Sequence, residues 1–313
     1  MIRKLAPLTK MILLTVAVGL QISATSCRTN TNDFPVLKGP YLGQKPPGMT
    51  PELFAPVPLR ANPTWFWHGS PSFSPDLNEI YFVKYLKGRN GTEIYRMKKE
   101  DQIWGAPEKA LFSTAGYRDN NPFFLSPETL LFYSTRFGGS ICRIEKPGDQ
   151  KSQPVAMALN FPAGKTLGGQ FSVTKGGVIY AELSDGDLYC GKPVDGKSPV
   201  LERLGEDVNS SSYDFNPFVD PEETILLFCS QRPGGFGKTD IYASFKNSAG
   251  TWTKAVNLGP KFNSAAEEAF PSITPDGKYF FFCREGELGF NPYWADIKAL
   301  ESLRPEEAIS AKK

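Results

Sequence analysis

Histidine is almost absent from this chain, and neither sign of charge dominates it. The 313 residues include one histidine, His68, so a metal site with two or more histidine ligands from this chain is excluded, together with the common zinc-hydrolase motifs. The 35 basic and 33 acidic residues give a net charge of +2. Without a basic excess or a basic stripe, the sequence gives no electrostatic reason to expect a nucleic-acid partner.

The apolar run at the N-terminus is too short to cross a bilayer. Met11–Leu20 follows a basic stretch and precedes small and polar residues that end at Cys27. This order is typical of a signal peptide, which we predict over residues 1–27. The ending Ala24-Thr25-Ser26-Cys27 resembles the lipobox of bacterial lipoproteins, which implies acylation of Cys27 and a stable lipid anchor. An ordinary signal peptide that contains a cysteine is the alternative.

Composition divides the rest of the chain into three parts. Residues 28–50 are polar and rich in proline and glycine, which predicts a tether between the lipid and the folded part. We expect residues 51–303 to form one folded domain and residues 304–313 to form a C-terminal tail.

An internal repeat is the strongest feature of the sequence. Each copy runs from an apolar segment through a polar turn, usually with proline, into a second apolar segment. The copies are Ser70–Phe82, Asn121–Phe132, Phe171–Tyr180, Asn216–Phe228 and Phe270–Phe282. Marked at Pro71, Pro122, Phe171, Pro217 and Pro271, they lie 51, 49, 46 and 54 residues apart. Third and fourth segments follow in most copies, and four strands in about 50 residues is the period of a β-propeller blade.

This pattern predicts an all-β fold, a five-bladed β-propeller of four-stranded antiparallel blades. The 29 glycines and 27 prolines favour short strands and turns over long helices. Second segments such as Ile225–Phe228 are apolar throughout, as expected for strands covered on both sides by neighbouring blades. The fifth copy continues into an amphipathic helix, Ile297–Leu303, so we expect Pro51–Leu59 to supply its fourth strand and close the ring. Six blades are the alternative, although the sequence shows no sixth copy.

The repeats resemble the WD40-like propeller repeats of TolB and related periplasmic proteins of Gram-negative bacteria. The resemblance covers residues 50–300 and depends on the Ser-Pro-Asp turns, the Asn-Leu-Gly joins and the stretch Arg232–Tyr242. The resemblance implies a propeller that serves as a binding surface. The fold by itself does not assign an activity.

One end of the propeller channel is the predicted ligand site. Three residues before each marker stand His68, Asp119, Asp214 and Glu268, with Gly168 in the third copy, and first strands line a propeller channel. These side chains would form a polar mouth that binds a glycan or Ca²⁺; the alternative is that each caps a loop. Trp65 and Trp67 would stand at the rim as a stacking platform for a sugar, or else form a local hydrophobic plug. We assign no catalytic residue and no other cofactor.

The remaining cysteines are predicted to be free thiols. Cys142, Cys190, Cys229 and Cys283 lie in different copies. Cys229 and Cys283 occupy matching positions in adjacent blades, which should be too far apart for a disulfide.

Taken as a whole, the sequence favours a non-enzymatic envelope lipoprotein, a monomeric binding or assembly module for a protein or glycan partner. Its membrane contact would be the lipid anchor alone. The alternative is a glycan-active hydrolase that uses carboxylates at the channel mouth. The residues after Cys27 lack the acidic cluster that some surface-exported lipoproteins carry, so we expect an outer-membrane protein that faces the periplasm rather than the cell surface.

Overall fold

The computed structural model describes residues 34–62, 64–88 and 91–309, and almost all of its regular structure is strand. The predicted signal peptide and Cys27 lie outside the described residues. Within those ranges, no helix has both the length and the apolar character of a membrane span.

In the described residues, antiparallel strands form three four-stranded sheets and one twelve-stranded sheet, in which Phe290 pairs with Trp67. We divide these strands into five repeats that follow the five copies in the sequence. Short strands β1 (Leu37–Lys38), β2 (Glu52–Leu53) and β3 (Ala61–Asn62) come first. Repeat 1 contains β4 (Trp65–Trp67) and β5 (Ser72–Phe73), which together act as its first strand, then β6 (Glu79–Leu86), β7 (Thr92–Glu100), β8 (Ile103–Trp104) and β9 (Glu108–Lys109). In this repeat β9 is the fourth strand, and β8 pairs with both β7 and β1.

Repeats 2 to 5 follow in chain order. Repeat 2 is β10 (Asp119–Ser126), β11 (Thr129–Ser134), β12 (Ser140–Glu145) and β13 (Val155–Ala156). Repeat 3 is β14 (Leu167–Val173), β15 (Ile179–Leu183), β16 (Leu188–Gly191) and β17 (Glu202–Arg203). Repeat 4 is β18 (Asp214–Val219), β19 (Ile225–Ser230), β20 (Asp240–Phe245) and β21 (Val256–Asn257). Repeat 5 contains β22 (Glu268–Ile273), β23 (Tyr279–Gly286) and β24 (Gly289–Asp296). The described residues also contain three short α-helices, α1 (Val57–Arg60), α2 (Lys298–Glu301) and α3 (Glu306–Ile309), and two 3₁₀ turns, Pro40–Gly43 and Thr135–Phe137.

The hydrophobic core lies between the repeats rather than inside any one of them. One buried cluster joins repeats 1 and 2, a second joins repeats 2 and 3, a third joins repeats 3 and 4, and a fourth joins repeats 4 and 5. Between repeats 5 and 1, Phe281 packs against Phe73 and Phe54. Because each sheet covers its neighbours, strands such as Ile225–Ser230 are buried along their whole length. The chain is therefore a β-propeller, as the repeats predict.

An N-terminal strand closes the ring as predicted, but it is shorter than the expected Pro51–Leu59, since the strand covers Glu52–Leu53 and a helix begins at Val57. Glu52 pairs with Trp294 and Leu53 with Tyr293, so β2 is the fourth strand of repeat 5. The next residue, Phe54, is fully buried and makes an edge contact with the ring of Trp294.

Two predicted boundaries are wrong. Part of the expected tether, 28–50, belongs to the folded domain: Leu37 pairs with Trp104, and Tyr41 and Leu42 are buried. The apolar side chains within this polar stretch provide the contact surface. The expected tail also packs on the domain in part, since Ala308 in α3 is fully buried.

Candidate functional site

A cavity of about 630 Å³ lies along the propeller axis, enclosed by the first strands of all five repeats. Its lining includes Pro71, Phe124, Phe171, Phe218 and Phe270. Cavities of 300–1,000 Å³ with mostly apolar walls and a few polar groups are the usual form of binding sites in proteins.

The cavity wall is almost uncharged. Gln170, Ser72 and Ser272 bring an amide and two hydroxyls to it. The charged lining residue is Lys175, and its Nζ is 3.2 Å from Oε1 of Glu222. His68 also lines the cavity, where burial and the nearby Arg118 lower its pKa to about 4, so the ring is neutral at pH 7.

Hydrogen bonds join the first strands of successive repeats around this wall. Asn121 Nδ2 donates to the carbonyl of Phe171 over 2.8 Å, and the N–H of Phe270 donates to Asn216 Oδ1 over 3.2 Å. Ser70 Oγ donates to the carbonyl of Phe270, which links repeat 1 to repeat 5. These bonds start at a bulge in the first strand, where Asn121, Asn216 and Phe270 have φ of 50°, 51° and 56°.

The three predicted acids are enclosed within their own repeats. Asp119, Asp214 and Glu268 begin the first strands at matching register positions, and all three are fully buried. Each carboxylate accepts a backbone N–H from the loop that precedes its strand: from Thr114 over 2.8 Å, from Ser210 over 2.6 Å and from Ser264 over 2.9 Å. The three acids therefore cap the loops before their strands, which is the alternative role predicted for them from the sequence.

Each of these acids also has its own arginine. Arg136 Nη2 lies 3.4 Å from Asp119 Oδ1, Arg232 Nη2 lies 2.7 Å from Asp214 Oδ1, and Arg284 Nε lies 2.6 Å from Glu268 Oε1. The arginines also lie over phenylalanine rings of the second strand, as Arg232 does over Phe228 at 5.2 Å. Each negative charge is therefore compensated locally, and the three acids do not line the cavity as the predicted polar mouth requires.

This result removes the argument for Ca²⁺ at the channel mouth. In the described ranges, no group of three or more His, Cys, Asp or Glu side chains is placed to hold a metal ion. The acids that were expected to converge there are occupied by arginine and loop N–H groups.

In repeats 1 and 3 the predicted positions are displaced, by one and by two residues. Glu268 pairs with Arg284, and the matching residue of the second strand is Lys84 in repeat 1, which pairs with Trp67. In repeat 3 it is Ser184, whose N–H donates to the carbonyl of Thr166 over 2.9 Å. His68 and Gly168 are thus not the structural equivalents of the acids. The bulge of each of these two repeats contains one extra residue. In repeat 3, moreover, Gln170 rather than Phe171 stands in the place of the proline. Of the four polar residues predicted, His68 alone lines the cavity.

Trp65 and Trp67 are not a platform for sugars. Trp65 is 7% exposed and Trp67 is fully buried. Trp67 stacks on Phe82 at 4.5 Å, and Lys84 Nζ lies 4.2 Å from the ring centre of Trp65. The plug alternative holds, and in repeat 1 a cation–π contact replaces the acid–arginine pair of other repeats.

Sequence reasoning missed Glu182. The second strand of each repeat has a residue opposite the first strand just after the bulge: Tyr81, Leu131, Ala181, Leu227 and Phe281. The next residue is phenylalanine in four repeats but Glu182 in repeat 3. Glu182 is 5% exposed, and burial raises its pKa to about 7, partly offset by hydrogen bonds from Asn216 and Gln170. The sequence signal for this residue is a single charged side chain, Glu182, within an otherwise apolar second segment.

The four described cysteines are free thiols, as predicted. Burial raises the pKa of Cys142 and of Cys190 to about 11 and that of Cys229 well above its ordinary value. Protonated, enclosed thiols are poor nucleophiles, so none is a candidate for catalysis.

No protein-family model and no curated protein matches this chain. Solved structures similar to it include a TolB-type protein from Agrobacterium tumefaciens, with 19% identity, a TM-score of 0.49 and coverage of 76% of this chain and 79% of that one. An endo-arabinase from Bacteroides thetaiotaomicron has 15% identity, a TM-score of 0.47 and coverage of 74% and 94%. A puromycin-hydrolyzing peptidase from Mycobacterium tuberculosis has 16% identity, a TM-score of 0.41 and coverage of 75% and 36%, so this chain spans about a third of that enzyme. The first is of the type that the repeats resemble, and together these similarities assign no activity.

Proposed function

We propose that this protein is a non-enzymatic binding or assembly module of the bacterial cell envelope, and that its central cavity receives an uncharged segment of a protein partner. The observation that carries the proposal is the cavity itself: about 630 Å³, enclosed by all five first strands and lined mainly by apolar side chains. A protein segment fills such a space with apolar side chains, whose burial contributes about 25 cal/mol per Å².

The polar groups of the wall suit a peptide. Gln170, Ser72 and Ser272 offer both donors and acceptors, which match the N–H and C=O groups of a peptide backbone. A glycan-active hydrolase instead needs two carboxyl groups beside the substrate. Because Asp119, Asp214 and Glu268 are enclosed in ion pairs, they do not favour that alternative.

The envelope location is part of the same proposal. It is supported by the signal-peptide pattern and by the lipobox resemblance at Cys27. We propose a monomeric outer-membrane lipoprotein that faces the periplasm, with the lipid as its membrane contact and without a nucleic-acid partner.

A pair of serine substitutions tests the cavity as the binding site. Ser272→Trp places an indole in the cavity, and Ser211→Trp places the same ring on an exposed residue outside it. The probes are a random peptide library displayed on phage and a glycan array. We expect the wild type and Ser211→Trp to select the same peptides, and Ser272→Trp to bind them at least tenfold more weakly, about 1.4 kcal/mol.

Two outcomes contradict the proposal. Equal peptide binding by Ser272→Trp would show that the cavity is not the site. Selection of glycans without selection of peptides would show that the partner class is wrong. Circular dichroism of both variants verifies that they are folded.

A further inference from the structure

The contact between repeats 3 and 4 differs chemically from the contact between repeats 4 and 5. In the latter, the bulge N–H of Phe270 donates to the side-chain amide oxygen of Asn216. Gly169 stands in the place of Asn216 in repeat 3 and has no side chain to do the same. Glu182 takes over, and its Oε2 accepts the N–H of Asn216 over 2.7 Å. The group that accepts the bulge N–H is thus a carboxyl between repeats 3 and 4 and a side-chain amide between repeats 4 and 5.

The position of Glu182 requires a second glycine. A Cβ atom at Gly168 would lie 2.6 Å from both Cγ and Oε1 of Glu182, so no larger residue fits there without moving this side chain. Gly168 is exposed to solvent, whereas Glu182 is buried. The carboxyl group therefore lies directly against an exposed stretch of backbone.

The groups around this carboxyl carry no compensating charge. Gln170 of β14 and Asn216 of β18 donate hydrogen bonds to it. The titratable groups that interact with it from neighbouring elements are Tyr133 of β11, Tyr213 before β18 and Cys229 of β19, and burial raises the pKa of each. All three are neutral near pH 7. Within the described ranges no salt bridge includes Glu182, unlike the three buried acids that begin first strands.

We propose that Glu182 is a proton-responsive contact between repeats 3 and 4: the neutral carboxyl keeps this junction closed, and the ionised carboxyl loosens it toward the exposed backbone of Gly168. An ionised carboxylate without a cation is stabilised by water, and local opening of the junction is the shortest way to supply it. Asn216 and Phe270 both line the central cavity, so the loosened junction includes part of the cavity wall. This inference concerns the empty protein and goes beyond the proposed binding function.

The stability of the folded protein should decrease as the pH rises, because the pKa of Glu182 is raised in the folded state. Burial raises the pKa of Glu182 to about 7, above the ordinary value of 4.5, so the unfolded chain releases this proton at a lower pH than the folded protein. The contribution of this group to stability is complete below about pH 4.5 and is lost as the pH rises to about 7. For one such group, the folding equilibrium constant falls roughly 30- to 100-fold between pH 5 and pH 8.

Urea unfolding at pH 5 and pH 8 tests this dependence in the wild type, in Glu182→Gln and in Glu206→Gln. The glutamine at 182 keeps the shape and the acceptor but has no proton to lose, and Glu206 is an exposed control. We expect the ratio of the two equilibrium constants to be smaller in Glu182→Gln than in the wild type by about the factor above. Glu206→Gln should follow the wild type. If Glu182→Gln retains the pH dependence of the wild type, the proposal is wrong.

Hydrogen exchange of the wild type locates the effect and needs no variant. After correction for the intrinsic pH dependence of exchange, the amides of 214–219 should lose at least tenfold protection between pH 6 and pH 8 relative to those of 268–273. The second segment forms the amide-bridged junction between repeats 4 and 5 and serves as the internal control. An equal change in both segments would overturn the assignment to Glu182.

Discussion

At the scale of single residues, the acids that begin the first strands act as internal supports. Asp214 has three kinds of partner: the backbone N–H of Ser210, its hydroxyl, and the guanidinium of Arg232. The arginine in turn donates to the carbonyl of Val208. The acid and the arginine thus fix the loop before the strand and the loop after the next strand to each other.

Removal of one such acid should destabilise the fold strongly. Asp214→Ala leaves the Arg232 side chain, which is only 17% exposed, without its anion, and breaking a buried pair on one side costs about 3–5 kcal/mol. Glu222→Ala breaks an ion pair with Lys175 in which both side chains are largely exposed, and should leave the stability close to that of the wild type. Urea unfolding measures both. Similar small losses in the two variants would contradict the structural role of Asp214.

Acylation is predicted at the single residue Cys27. Its thiol is the attachment point that the lipobox resemblance implies. Radiolabelled fatty acid should enter the wild-type protein in bacteria and should not enter Cys27→Ala. Equal labelling of the two would show that the N-terminus is an ordinary signal peptide.

At the scale of elements, ring closure depends on a very short strand and the residue after it. The strand β2 spans Glu52–Leu53, and Phe54 follows it into the space between repeats 5 and 1. There the ring packs edge-on against Phe281 at 4.9 Å and Trp294 at 5.2 Å.

Two adjacent substitutions separate these contributions. Phe54→Ala removes a fully buried ring and should lower the free energy of unfolding by about 3–5 kcal/mol. Leu53→Ala changes a side chain that is 40% exposed and keeps the backbone pairing, so its loss should be below about 1.5 kcal/mol. Thermal or urea unfolding compares them. Equal stability of Phe54→Ala and the wild type would show that closure does not depend on this residue.

The elements also show what the sequence could and could not predict. Apolar second segments, such as Ile225–Phe228, revealed the propeller because both their faces are buried between sheets. The closing strand was predictable because the fifth copy lacks a fourth segment. The arrangement of the channel mouth was not predictable. Equal spacing along the chain does not reveal a bulge with one extra residue, as at Gly69. It also does not reveal an arginine from elsewhere in the repeat that pairs with the acid. The burial of Trp67 depends on Phe82, a partner that no local pattern identifies.

At the scale of the whole molecule, the thiols report on the integrity of the ring. Cys229 and Cys283 are fully buried in second strands, and Cys190 is partly exposed. In a Cys27→Ala variant, a thiol reagent should modify Cys190 first, and should reach Cys229 and Cys283 only at the rate at which the protein opens. Labelling followed by mass spectrometry gives these rates. Rapid modification of Cys283 in the native protein would contradict the closed ring.

The junctions between repeats have one further consequence, for the order in which similar units assemble. A chain of related repeats can misassemble, with one unit in a neighbour's place or exchanged with a second copy. Here two adjacent junctions differ: Glu182 accepts the N–H of Asn216 between repeats 3 and 4, and Asn216 Oδ1 accepts the N–H of Phe270 between repeats 4 and 5. A misplaced unit would leave such buried groups unpaired, at about 1–3 kcal/mol each. These departures from perfect repetition thus distinguish repeats 3, 4 and 5 from one another and favour their native order in the ring.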